Sequence, residues 1–131
     1  VRKVSLLIVI IALLIGVFSV TVWLNTQRFQ EISTQQLLNR YQQGGALLII
    51  DVREPYEYKA GHIPGAMLIP VRKLESHLDE LDKEMEIFLV CRSGNRSRTA
   101  ATLLAQNGFR RVYNVNGGML SWEGPVEYSA P

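Results

Sequence analysis

Apolar and polar residues are distributed along this chain in two regimes. Residues 4–24 carry no charge and no polar face. A helix of that length spans about 31 Å, the thickness of a bilayer core. From residue 25 onward the apolar positions come in short, periodic groups. Asn25 to Gln30 read as a polar tether. Ser33-Thr34-Gln35-Gln36 matches a capping box that opens a helix with Leu37, Leu38 and Tyr41 inward, closed by Gly44-Gly45. Residues 47–52 are apolar up to Asp51, the pattern of a strand buried on both faces. Residues 54–60 predict a short helix with Pro55 in its first turn, and 61–65 a turn-rich loop. Residues 67–69 predict a strand stopped by Pro70. Val71, Leu74, Leu78 and Leu81 then recur at helical spacing, opposite an acidic, solvent-facing side. Residues 87–90 predict a strand and 99–106 a helix with Ala100, Leu103 and Leu104 inward. Residues 112–115 predict a last strand, and 119–122 a helical turn. The tail from Glu127 to Pro131 is expected to be loose. Strands alternating with helices imply an α/β fold, an open parallel sheet with helices on both faces.

The polar flanks of the apolar run add a topology. Arg2 and Lys3 precede it, Trp23 lies near its far end, and Arg28 and Glu31 follow. The positive-inside rule places the N-terminus in the cytoplasm and the domain on the outer, periplasmic or extracellular side of a single-pass membrane anchor. A cleaved secretory signal is the rival reading. Its apolar region is shorter, and Val17-Phe18-Ser19 makes a poor cleavage site, so the uncleaved anchor is preferred. The expected organisation is an anchor at 1–24, a linker at 25–31 and one domain at 32–131.

Charge and cysteine count narrow the chemistry. The whole net charge of +2 comes from Arg2 and Lys3, because the rest of the chain carries twelve basic and twelve acidic residues. The basic balance therefore does not point to nucleic acid. A single cysteine excludes an internal disulfide, a Cys-x-x-Cys redox pair and a multi-cysteine zinc site. With only His62 and His77 besides, the sequence offers no metal-ligand cluster. No metal or organic cofactor is expected.

That one cysteine opens the segment Cys91-Arg92-Ser93-Gly94-Asn95-Arg96-Ser97, at the C-terminal tip of a predicted strand and ahead of a helix. Open α/β sheets place their chemistry there. Loop N–H groups and the positive helix end can converge on one point and favour a thiolate. A packing role for Cys91 is the plain alternative. Against it stand Arg92, Arg96 and Arg98, with no acidic residue from Ile87 to Trp122. They suggest an electropositive, accessible setting. Asp51, at the end of a strand on the same sheet edge, is a candidate acid–base group, but the preferred reading is that it orients the loop or Arg53, since a carboxylate nearby opposes thiolate formation. His62 reads as a hydrogen-bonded turn residue and His77 as solvated. Met119 and Trp122 read as core or pocket wall. Ser93 and Ser97 are placed to hydrogen-bond the sulfur or to cap the helix.

The string CRSGNRS resembles the active-site loop of the rhodanese family of sulfurtransferases. Asp51-Val52-Arg53-Glu54, Glu57-Tyr58 and Gly61-His62-Ile63-Pro64-Gly65-Ala66 resemble that family's first signature. Asn116-Gly117-Gly118-Met119 with Trp122 resembles its closing one. The resemblance covers about residues 32–126. It implies a rhodanese-like fold and a Cys91 persulfide that passes sulfane sulfur from thiosulfate or a similar donor to cyanide, a thiol or a protein. Cys91 is then catalytic, and Arg92, Ser93, Gly94, Asn95, Arg96 and Ser97 form the substrate-binding loop. Asp51 and Arg53 support it. Whether Arg92 or Arg96 binds the donor stays open at this point. A membrane-tethered sulfur carrier or docking module is the alternative. A Cys-loop-Arg phosphatase or arsenate reductase is less favoured, because that motif has five residues between cysteine and arginine and this chain has four.

Overall fold

The computed structural model describes residues 2–26 and 28–128. A 25-residue helix, α1 (Arg2–Thr26), precedes the domain. Its apolar side chains over Val4–Leu24 are exposed. This stretch is long and apolar enough to cross a membrane, and the same features belong to a signal sequence. The side chains of Arg2 and Lys3, on which the expected orientation rests, lie outside the described residues.

The domain is built on five strands: β1 (Gln30–Ser33), β2 (Leu47–Asp51), β3 (Met67–Leu68), β4 (Glu86–Val90) and β5 (Arg111–Asn116). All pair in parallel, in the order β1-β5-β4-β2-β3. Successive side chains on a strand point to opposite faces, and each face has its own core. On one face Ile50, Ile87, Leu89 and Val112 pack under α4 (Asn95–Gln106) and a 3-10 helix (Val71–Glu80), meeting Ala100, Ala101, Leu104 and Leu74. On the other, Ile49, Phe88, Val90 and Val115 meet Leu37 of α2 (Thr34–Gln43) and Tyr58 of α3 (Pro55–Lys59). The sheet is thus parallel and covered on both sides, as the alternation of patterns implies.

The Ser33 capping box is present. The Gln36 N–H donates to Ser33 Oγ at 3.1 Å, and the Ser33 N–H donates to Gln36 Oε1 at 2.8 Å. Such a cap contributes about 1 kcal/mol.

Four elements differ from expectation. Gln30 and Glu31, read as linker, form an edge strand registered on Tyr113 and Asn114. Its sequence, Gln-Glu-Ile-Ser, is too polar and too short to show a strand period. The 71–80 segment is 3-10 rather than α-helix, a tighter coil that still turns Leu74 fully inward. Helix α4 begins at Asn95, four residues before the start expected at Thr99, because its first turn is the polar sequence that follows Cys91. The tail expected to be loose is fastened as far as Glu127, whose N–H and C=O pair with those of His62 at 2.9 and 3.0 Å. Residues 129–131 lie outside the described residues.

Leu104 is fully buried between α4 and the sheet. Leu104→Ala removes packed methyl groups from a site the rigid sheet cannot refill. It should lower unfolding free energy by about 3 kcal/mol in a urea melt, with the slope unchanged.

Candidate active site

The C-terminal ends of β2, β4 and β5 come together at one sheet edge, which brings Asp51, Cys91 and Asn116 into one neighbourhood. Cys91 follows β4 and keeps its parity: Ile87, Leu89 and Cys91 face the same core. The sulfur is therefore directed to the α4 side, beneath the start of that helix. Gly94 makes the turn with φ 106°, a left-handed conformation that L side chains rarely adopt. In this turn the Gly94 N–H donates to Cys91 Sγ at 3.1 Å, and Ser97 Oγ lies 3.3 Å away.

The sequence suggested an accessible thiol, and the structure corrects this. Cys91 is 1% exposed, and Ser97 is fully buried. Strand parity turns the sulfur inward, and the β5 exit covers the loop. The Met119 N–H donates to Cys91 O at 2.9 Å, and the Leu120 N–H to Arg92 O at 3.0 Å. These contacts require Gly118, where a Cβ would lie 2.6 Å from Arg92 O and overlap Cys91 O. The closing Gly-Gly segment is thus a lid on the loop's carbonyl side.

Burial alone pushes the Cys91 thiol up. The Ser97 hydroxyl and the N–H groups of Ser97, Gly94 and Ser93 act against it, and the net direction is down. Neutral donors at the helix start therefore carry most of the thiolate stabilisation.

The arginines are less free than the acid-poor sequence suggested, because their partners arrive from elsewhere. Arg96 forms a two-pronged pair with Glu57 of α3, at 2.7 and 2.8 Å. Arg98 donates to Glu31 of β1 at 2.8 Å. Arg92 is exposed and enters none of the ion pairs of the described residues. It borders a cleft of about 280 Å³ with Arg53, Tyr56, Glu57, Ala60, Met119 and Leu120. Asn95 opens α4, and its carbonyl accepts from the Thr99 hydroxyl at 3.4 Å. Ser93 is exposed on the turn.

Asp51 and Arg53 are both buried. The Arg53 Nη2 donates to Asp51 Oδ2 at 2.7 Å and to Gly61 O at 2.8 Å, so this pair ties the β2 end to the 61–65 loop. Asp51 thereby faces an arginine rather than the sulfur. His62 is fully buried, with Nδ1 2.8 Å from Tyr58 O, Nε2 3.1 Å from Glu127 Oε1, and its ring stacked on Tyr58 at 3.5 Å. It fastens the tail to the domain. His77 is half-buried, with Nδ1 2.8 Å from Lys73 O. Trp122 packs on the α2-side core and donates from Nε1 to Pro125 O.

Three residues that sequence reasoning did not place at the site join it: Glu57, quoted there only within the family's first signature, Glu31, read only as a flanking charge, and Asn114. Glu57 also accepts the Glu54 N–H at 3.0 Å, which locks it at the start of α3. Arg96 holds its carboxyl down to about 2, against an ordinary 4.5. The folded-state value is the lower one, so the pair's contribution to stability is complete above about 4.5 and is lost as pH falls through about 2. Glu57→Gln should flatten the dependence of unfolding free energy on pH across that window, measured by urea melts at stepped pH.

The family profile of the rhodanese-like domain matches residues 33–125, which hold every loop described above. The candidate sulfurtransferase YtwF of Bacillus subtilis is 41% identical over 98 residues, covering 75% of this chain and 94% of YtwF. The candidate sulfur carrier YrkF of the same organism is 39% identical over 103 residues, 79% of this chain, and the chain spans only 56% of YrkF's length. The crystal structure of a rhodanese-like domain protein from Staphylococcus aureus superposes with a TM-score of 0.71 at 34% identity, covering 77% of this chain and 99% of that one. A parallel sheet that aims one strand-end cysteine into a cradle of N–H groups, with the matching profile spanning the whole domain, places this chain in the rhodanese-like family.

Proposed function

We propose that the protein is a sulfurtransferase that works through a persulfide on Cys91. The observation that carries this reading is the donor set at Sγ: two serines and a glycine N–H around one buried sulfur, with no carboxylate among its partners in the described residues. The Cys91 thiolate attacks the outer sulfur of thiosulfate. The new S–S bond forms as the donor's S–S bond breaks, and sulfite departs with the electron pair. The terminal persulfide sulfur carries the negative charge and takes over the loop donors, which contribute on the order of 3 kcal/mol each when well aimed. Cyanide or a thiolate then attacks that outer sulfur and returns Cys91 to the thiolate.

Arg92 is the preferred anchor for the donor's oxygens. Arg96 spends both terminal guanidinium nitrogens on Glu57, while Arg92 enters no ion pair of the described residues and borders the cleft. The exposed faces of Tyr56 and Leu120 beside it suit an organic thiol or a protein acceptor as well as cyanide. The same observation weighs against a phosphatase, whose loop arginine must be free to grip phosphate oxygens. Residues 4–24 are proposed to hold the domain at the outer face of a membrane, which protease digestion of intact cells against lysed ones would check. Loss of the domain only after lysis would reverse the orientation.

Intact mass after incubation with thiosulfate tests the central step. The parent should gain one sulfur, and Cys91→Ser should gain none. Sulfur gain by the serine variant would overturn the assignment of the nucleophile. Arg92→Ala should raise KM for thiosulfate about tenfold, the loss of one charge-assisted hydrogen bond, and Arg96→Ala should instead show first as a lowered melting temperature. Inserting one glycine after Gly94 should cut sulfur transfer sharply in a folded variant, because it re-aims more than one N–H. Unchanged transfer there would remove ring size as the basis for preferring sulfur to phosphate.

A further inference from the structure

The buried polar residue that the mechanism above leaves unused is Asn114. It sits on β5 with the parity of Val112, so it interrupts the apolar stripe beneath α4. It is 0% exposed, and its Oδ1 has no hydrogen-bond partner. A leucine of similar size would avoid that loss. What the amide supplies is its other end. Nδ2 donates to Gly94 O at 3.3 Å and to Glu31 Oε2 at 2.9 Å. Glu31 is itself held by Arg98 at 2.8 Å.

Gly94 is the residue whose N–H points at Cys91 Sγ. Its carbonyl receives two donors, the Asn114 amide and the Arg98 N–H of the first α4 turn at 3.2 Å. A glycine at φ 106° has wide conformational freedom, so its N–H stays aimed only while something outside the turn fixes its peptide planes. We propose that Asn114, clamped by Glu31, is a positioning residue that locks the Gly94 turn and so keeps the Gly94 N–H on the Cys91 sulfur. Glu31 lies one residue into the strand that follows α1, so the device joins the start of the sheet to the reacting thiol. The role assigned here rests on Cys91 being the reacting group.

The measurement is a pH titration of the Cys91 thiolate by its ultraviolet absorbance, on the full chain in detergent. The Cys91→Ser trace is subtracted to remove the five tyrosines. This readout stands whether or not the protein moves sulfur, so it fails separately from the sulfurtransferase reading. Asn114→Leu should raise the thiol midpoint by about one pH unit, a tenfold weaker acid. Glu31→Ala should move it the same way by less, and Glu31→Gln, which keeps an acceptor for the amide, should restore the parent value. A purely structural role would lower the melting temperature and leave the titration where it was. A folded Asn114→Leu with the parent midpoint overturns the proposal. Should that variant fail to melt cooperatively, Glu31→Ala, at a partly exposed position, decides alone. An unchanged midpoint there overturns the proposal, and a raised midpoint that Glu31→Gln restores supports it.

Discussion

A thiolate at 1% exposure would have no water to solvate it, so the protein must supply donors of its own. Every feature of the site follows from this constraint. The parallel sheet ends three strands at one edge, β4 parity turns Cys91 toward α4, and the left-handed Gly94 turn swings a ring of N–H groups around it. The Ser97 hydroxyl completes the ring from inside the helix. A thiol deep in an apolar face would ordinarily ionise less readily than in water. Here its direction is reversed by groups that are neutral and fixed.

Fixing them is the work of the surrounding loops. Met119 and Leu120 hold the carbonyls of Cys91 and Arg92, so these peptides cannot flip their N–H groups away. Gly118 is obligatory because the two segments touch backbone to backbone. Asp51 and Arg53 join β2 to the 61–65 loop, and His62 carries that support to Glu127. Each contact removes a freedom the loop would otherwise have, at the cost of burying polar groups, of which Asn114 Oδ1 is left without a partner.

How much of this the sequence displays depends on the range of each interaction. The strand, turn and helix around Cys91 are local, and the apolar run at 87–90, Gly94 and the stripe through Leu104 state them directly. The burial of Cys91 was also legible, since positions 87, 89 and 91 share one face. Reading the arginines as evidence of access concealed it. Glu57 and Glu31 were not legible. They meet Arg96 and Arg98 across 39 and 67 residues, and both look like ordinary solvated acids. The edge strand 30–33 has a single apolar residue, so only its pairing with β5 defines it. The anchoring of Glu127 likewise exists only through His62, whose neighbours suggested nothing beyond a turn.

The acids that arrive from afar also change what the arginines do. With Glu57 on Arg96 and Glu31 on Arg98, the helix start carries two nearly neutral pairs rather than a positive cluster. Both guanidinium groups are held further toward the charged form, first by Glu57 and Glu31 and to a smaller extent by Cys91. Yet a pair whose charges cancel projects little field beyond its own neighbourhood, and what it projects is screened by salt. The buried N–H and hydroxyl donors are not screened in this way. The downward direction of the Cys91 thiol thus comes from short-range hydrogen bonds, and the long-range positive field is left to Arg92 at the mouth of the cleft. That division separates two tasks that would conflict if one arginine did both. A cation close enough to grip the donor's oxygens and also to stabilise the thiolate would hold sulfite in place after the S–S bond breaks. With the sulfur cared for by its own loop, Arg92 in the proposed mechanism recruits the anion and is free to release it.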